Sequence, residues 1–301
     1  MAASIDAQSC WPVRHSAASL FRLACVAVAL LGAVASDANG LAAEDATERL
    51  IFVQEGELPI ILSAPHGGTK AVPGVEARQG EEVPGATGRF VVSRDVGTEE
   101  LATLIAAGLE RRFGKKPYVV KSLAHRKYLD PNRPAAAAYE DDKAKPVYDA
   151  YHKALAKFCR EVNSKHRSGL LLDIHGQDAL KDAVLRGTNN GKTVTLLRER
   201  FGDEAHVGAT SLFGRLRAAG LKVHPDPLDG LDHARYSGGY IVQTYGSHQG
   251  FGIDAMQLEF GSDLRTQERR PITANAVIDA VVAYCGDYLP SAPKSLAAPA
   301  P

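Results

Sequence analysis

The chain has 301 residues, with 35 basic and 35 acidic side chains and a formal charge of zero. That balance offers no basic surface for nucleic acid and no acidic solvating arm. Four cysteines are too few for a disulfide scaffold, and the length suits one α/β domain with a substantial core.

Arg14 and Arg22 precede an uncharged run from Leu23 to Ala35 that ends in Ala33-Val34-Ala35. This is the layout of a secretory signal peptide, shorter than the roughly 20 apolar residues of a membrane span. Residues 1–35 are therefore expected to be cleaved, with a second candidate site after Ala43 and an uncleaved anchor as the alternative. Removing them takes away Arg14, Arg22 and Asp6 and leaves a nearly neutral chain, expected to be periplasmic or secreted and not membrane-attached. Of the cysteines, Cys159 and Cys285 would remain. Each lies on an apolar helical face, so two buried thiols are expected at least as readily as a bridge.

Residues 36–50 are rich in Ala, Asp and Glu and read as a flexible lead-in, while the Pro/Ala/Ser-rich stretch 289–301 reads as a disordered tail. The folded α/β domain is expected over 51–288. Its first clear element is the apolar run Ile60-Ile61-Leu62, a buried strand that stops at Pro65-His66-Gly67-Gly68. Leu101, Leu104, Ile105 and Leu109 recur at helical spacing over 98–113, with Gly114 as a stop. Tyr118-Val119-Val120 is a short strand, and Tyr148, Tyr151, Leu155, Phe158, Cys159 and Val162 mark a long helix. Leu170-Leu171-Leu172 is a buried strand running into Asp173-Ile174-His175-Gly176. A helix over 207–219, strands over 221–224 and 255–260 and a closing helix over 274–288 complete the pattern. Strands alternating with helices predict a three-layer α/β fold, its sheet mainly parallel or mixed and covered on both faces. Polar residues that follow such strands collect at one edge of the sheet.

Two histidines sit past the ends of buried strands, His66 in Ser-Ala-Pro-His-Gly-Gly and His175 in Asp-Ile-His-Gly, each followed by a glycine that permits close approach. Imidazole suits zinc, and a catalytic zinc site takes three protein ligands, so the third must be another His or a carboxylate. Either histidine alone reads as readily as a structural residue. Asp173, two residues before His175, points to the same side of its strand and could orient that ring. Asp95 opens the helix at 98; capping is the plain explanation, but Thr98 can cap equally well and leaves Asp95 available. Met256-Gln257-Leu258-Glu259-Phe260 alternates as a strand does, placing Gln257 and Glu259 on one face. A carboxylate buried there must be paired, for instance with Arg265, or at work, which makes Glu259 the candidate general base. In Tyr128-Leu129-Asp130-Pro131-Asn132-Arg133-Pro134 two prolines fix a turn. Arg133 on it could fork onto a substrate carboxylate or brace the turn through Asp130.

Seven motifs fall in order over about 63–265. They are Ser-Ala-Pro-His-Gly-Gly, Arg-Asp-Val-Gly-Thr, His-Arg-Lys-Tyr-Leu-Asp-Pro-Asn-Arg-Pro, Tyr-Asp-Ala-Tyr-His, Leu-Asp-Ile-His-Gly, Ser-Gly-Gly-Tyr and Gln-Leu-Glu. The set resembles the N-formylglutamate amidohydrolase family. The resemblance implies a zinc-carboxypeptidase-like fold and hydrolysis of an N-acyl amino acid or related amide. It implies His66, His175 and Asp95 as zinc ligands, Glu259 as the catalytic carboxylate, and Asn132, Arg133 and Arg126 as contacts for a small or short-peptide substrate bearing a carboxylate. Tyr151 and His152 fall in one of these motifs, with packing as the default role. One departure is that zinc carboxypeptidases place a Glu three residues after the first His, where this chain has Thr69.

The export signal points away from cytoplasmic histidine breakdown and toward a peptide, polyglutamate or cell-wall fragment, as for an exported carboxypeptidase. His66-Gly67-Gly68 is similar to an oxyanion-hole loop, but the chain has no Gly-x-Ser-x-Gly. Gly187 to Thr193 imitates a phosphate loop, yet Gly187 and Gly191 stand one residue too close. From another class, the alternative is a secreted protein that holds metal and ligand without turnover.

Overall fold

The computed structural model describes residues 49–80 and 90–296. The expected signal peptide, nearly all of the 36–50 lead-in and the last residues of the tail lie outside them. The described residues fall in one compact unit, Thr47–Pro301.

Strands β1 (Ile51–Gln54), β2 (Ile60–Ala64), β3 (Tyr118–Ser122), β4 (Leu170–Gln177), β5 (Ala183–Gly187), β6 (Lys222–His224) and β7 (Asp254–Gly261) form one sheet in the order β1-β3-β2-β4-β7-β5-β6. The centre is parallel, β3 to β2 to β4 to β7, and β1 and β5 join it antiparallel. The α/β expectation with a mixed sheet covered on both faces therefore holds. All positions of β2, β3, β5 and β7 are buried; β2 accordingly opens as a continuous apolar run, whereas β7 alternates because Gln257 and Glu259 line the cleft while Met256, Leu258 and Phe260 enter a core.

Alternate side chains of each strand feed two separate cores. Ile60, Leu62, Leu172, Ile174, Met256 and Leu258 pack with helix α1 (Thr98–Phe113) and the closing helix α5 (Arg270–Tyr288). Ile61, Val120, Leu171 and Ala255 face the other way, onto α2 (Lys145–His166) and α4 (Tyr240–Tyr245). Cys159 belongs to the second core and Cys285 to the first; both are free and buried. Beyond α5, Leu289 is buried and Ala292 packs on the first core.

The helix expected over 207–219 is two: Glu204–Val207 and α3 (Leu212–Ala218). Gly208 ends the first, and Ser211 starts the second by accepting the Gly214 N–H at 3.0 Å, an N-cap inside what reads as one apolar face. β5 has no signal of its own, since three modest apolar residues lead straight into Arg186. It is nonetheless the strand that closes the functional side of β7, with Leu185 opposite Glu259 and Gly187 opposite Gln257.

His206 is buried in the short helix before α3 and shares a 3.0 Å hydrogen bond with Thr188 Oγ1. Burial, then the nearby Arg186 guanidinium, lowers its pKa to about 4. The unfolded imidazole titrates near 6.5, so between about pH 6.5 and 4 the unfolded chain takes up a proton that the folded chain refuses. This component of stability is complete above about pH 6.5 and is lost as the pH falls, by about 3 kcal/mol at most. Asp254, raised by burial to about 6, acts with the opposite sign. Comparing wild type with His206→Gln isolates the histidine: the variant's urea midpoint should depend less on pH between 6.5 and 4.

Candidate active site

The polar residues converge where the parallel strands end. His66 stands two residues beyond β2; its Nε2 donates to Asp130 Oδ1 at 2.6 Å, and its Nδ1 lies 3.3 Å from Asp95 Oδ2. His175, near the end of β4, donates from Nε2 to Asp173 Oδ2 at 2.8 Å and places Nδ1 3.5 Å from the same Asp95 oxygen. The two ring centroids are 4.7 Å apart with planes at 78°. One donor atom from each of His66, Asp95 and His175 lies within 4.8 Å of the others, and all three residues are buried.

This arrangement has an electrostatic consequence. With each Nε2–H given to a carboxylate, a neutral ring turns the lone pair of Nδ1 toward Asp95, which carries only lone pairs itself. Three such atoms facing one another in a buried space require a cation or added protons among them. The donor set of two imidazoles and a carboxylate fits a transition-metal ion. A carboxylate behind each imidazole is the arrangement that orients metal-ligating histidines.

Neighbouring charges tune the same groups. Burial alone would raise Asp95, but His66, His175 and Arg126 hold it below the usual carboxylate range. Asp130 is likewise held low, against burial, by Arg126 and His66. His175 is disfavoured as a cation by burial yet held well above its ordinary value by Asp173 and Asp95. Glu259, opposite His175 in the β4–β7 register, is pushed by burial, and further by Asp95, up to about 7. Its Oε1 accepts from Gln257 Nε2 at 2.6 Å. Its Oε2 is buried with no hydrogen-bond partner among the described residues, as is Asp173 Oδ1.

The plainer alternatives for these residues resolve individually. Asp95 does not cap α1; Thr98 Oγ1 turns back to the Asp95 carbonyl at 2.8 Å, while Asp95 Oδ2 accepts the Gly176 N–H at 2.9 Å. Arg265 is not the partner of Glu259 but braces the carbonyls of Phe260, Val96 and Gln177. Arg126 is clamped onto Asp130 by Nε at 2.9 Å and by a second nitrogen at 2.8 Å, and it stands 3.6 Å from Asp95. Arg133 donates to the Asn132 carbonyl at 2.8 Å, with Asp130 at 4.0 Å. Asn132 Oδ1 accepts the Ile241 N–H at 2.8 Å, and its Nδ2 lies 3.3 Å from His175 Nε2. His152, with its role open in the sequence, props this turn: Nε2 donates to the Pro131 carbonyl at 3.0 Å and Nδ1 accepts from Tyr245 at 2.9 Å.

A cleft of about 140 Å³ opens over the cluster. It is lined by His66, Asp95, His175 and Glu259, by Arg126, Asn132 and Arg133, and by the stretch of wall from Arg235 to Gly239. Asp130 as the anchor of His66 is the main residue that sequence reasoning misses. Its signal, an Asp leading into a turn fixed by two prolines, is legible, but its partner lies 64 positions away. Gln257 is visible on the face of Glu259, without a hint that it donates to it.

No protein-family model matches the chain, and no curated protein matches it. Among solved structures, its fold is similar to that of an N-formylglutamate amidohydrolase from Ralstonia eutropha JMP134. The two share 15% identity and a TM-score of 0.53 over 80% of this chain and 98% of that one. It is similar as well to the gene product Atu2144 from Agrobacterium tumefaciens, at 12% identity and a TM-score of 0.53 over 81% of this chain and 97% of that one. These likenesses define the fold: an α/β sheet of the N-formylglutamate amidohydrolase type, carrying a possible His/Asp/His metal site.

Gly67 shows how tightly the His66 loop is seated. A Cβ there would lie 2.6 Å from the Glu99 backbone nitrogen in the first turn of α1. Gly67→Ala is therefore expected to destabilise the fold by about 1–3 kcal/mol, read as a lower urea midpoint; an unchanged midpoint would show that the loop can move away freely.

Proposed function

We propose that the protein is a zinc-dependent amidohydrolase that cleaves an N-acyl amino acid, of the N-formylglutamate kind, or a related peptide amide. The observation that carries the reading is the pair of buried imidazoles, each fixed by its own carboxylate, turning Nδ1 toward Asp95 beside an unpartnered oxygen of Glu259. His66, Asp95 and His175 would hold the ion. Zinc in such a donor set supplies Lewis acidity, polarising a carbonyl and acidifying water.

The remaining chemistry belongs to the chain's own side chains. Gln257 fixes Glu259 through Oε1, which leaves Oε2 directed to take a proton from the attacking water and deliver it to the departing nitrogen. Asp130 and Asp173 keep the two rings in one tautomer and one orientation. Arg133, Arg126 and Asn132 give the cleft a positive, hydrogen-bonding side suited to a carboxylate of the substrate. The small polar cleft favours a short ligand over a long apolar one. The fold likeness to an N-formylglutamate amidohydrolase supports this class. The leader read at residues 1–35 supports action outside the cytoplasm on an exported substrate.

Metal content and hydrolysis of N-acylated glutamate, measured together, test the reading. His175→Ala should lose the metal. Glu259→Gln should keep it and lose roughly 10²–10⁴-fold in turnover, and a fully active Glu259→Gln excludes this residue as the base. Asp130→Asn should weaken metal retention by about 10–100-fold while leaving every ligand in place. Zinc retained by the wild type with no product released would make the protein a binder instead.

A further inference from the structure

The phosphate-loop imitation at Gly187–Thr193 is unused by the chemistry above, yet it forms an anion cradle. Asn189, Asn190 and Gly191 take φ values of 49°, 55° and 88°, three successive residues in the left-handed region. The tight turn they make brings the Thr188 and Asn190 N–H groups toward one point, while the Asn189 N–H between them is given to the Ser237 carbonyl. The point is occupied from within the chain. Asp232 Oδ2 accepts Thr188 N at 2.8 Å, Asn190 N at 2.9 Å and Thr188 Oγ1 at 3.0 Å, while Oδ1 accepts Arg186 Nε at 2.5 Å. Asp232 N in turn donates to Asn190 Oδ1 at 2.8 Å.

This assembly grips the segment Leu228 to Asp232. The two other guanidinium nitrogens of Arg186 donate to Leu228 O at 2.6 Å and Gly230 O at 2.8 Å, just upstream of Asp232. Just downstream, residues 235–239 line the cleft over the candidate metal ligands. That wall is tied at its far end too, where Gly239 N donates to Gln257 Oε1 at 2.6 Å and Ile241 N to Asn132 Oδ1 at 2.8 Å. Between the ties the wall has no helix or strand; Ser237 O accepts the Asn189 N–H of the cradle turn and Gly238 O accepts Gln243 Nε2 at 2.6 Å, so its position depends on the cradle as well as on the far end. A buried ion pair is a costly way to add stability, whereas it fixes position well.

We infer that Asp232 is a positioning residue for the substrate: its carboxylate fills the cradle at the end of β5 and thereby sets the wall from Arg235 to Gly239 against the cleft. The inference rests on the amidohydrolase reading for its kinetic consequence and on geometry alone for the cradle. Losing the anchor frees the wall to sample open positions, and ordering it again falls on substrate binding. KM rises and kcat changes less, because His66, Asp95, His175 and Glu259 stand on other elements.

Asp232→Ala tests this, since it leaves the donors of Arg186, Thr188 and Asn190 facing an empty space the size of a formate ion. Hydrolysis of N-acetylglutamate is measured with added sodium formate, with sodium chloride at equal ionic strength as control and wild type alongside. The expected result is a KM raised about tenfold or more with kcat within a few-fold of wild type, and a KM lowered again by formate but not by chloride. Formate should also raise the Tm of Asp232→Ala and not that of wild type, a reading that needs no turnover. Thr188→Ala, which removes one donor only, should move KM the same way by less and covers the case in which Asp232→Ala does not fold. An unchanged KM in the folded variants, or a loss confined to kcat, overturns the positioning role; no formate effect on Tm overturns the cradle. Wild type that hydrolyses nothing counts against the amidohydrolase reading and leaves the Tm result standing.

Discussion

Everything at the functional edge of this fold depends on how two imidazoles spend their one proton. Asp130 accepts it from His66 and Asp173 accepts it from His175, and each ring, when neutral, then presents a bare nitrogen to Asp95. Neither carboxylate touches the space where the three donors meet. Without them the rings could flip or change tautomer, and the same three side chains would form an ordinary buried hydrogen-bonded cluster. The donor set gains its meaning from residues one layer behind it.

The scaffold explains why those layers coincide. Parallel pairing of β4 with β7 sets His175 opposite Glu259 and Asp173 opposite Gln257, so one register aligns a ligand with the base and both their supports. The turn from Asp130 to Pro134 supplies Asp130 to one histidine and Asn132 to the neighbourhood of the other, and His152 and Tyr245 hold that turn from the α2–α4 side. Arg126 neutralises part of the resulting carboxylate density without leaving the interior.

Much of this was legible before any coordinates. The apolar runs at 60–62 and 170–172 end at His-Gly pairs, and the alternation at 256–260 sets Glu259 on an inner face, so the strand ends advertise their chemistry. β5 is different. Its residues Ala183, Val184 and Leu185 are indistinguishable from a loop edge, and only pairing with β7 makes them a strand. The roles of Asp130 and Asp232 are set by partners 64 and 46 residues distant that no local pattern connects, whereas the alternation places Gln257 beside Glu259 without showing that it donates to it. The split of the 207–219 helix was missed because Leu212, Phe213 and Leu216 keep an apolar face even though Ser211 restarts the helix.

The two thiols carry a consequence of their own. Cys159 belongs to the core on one side of the sheet and Cys285 to the core on the other, so a full layer of strands stands between them. Once the sheet has formed, no breathing motion short of unfolding brings the sulfurs together, and the redox poise of the surroundings has no purchase on the native state. Among the described residues, the fold itself keeps these two thiols apart, whatever the oxidant around it.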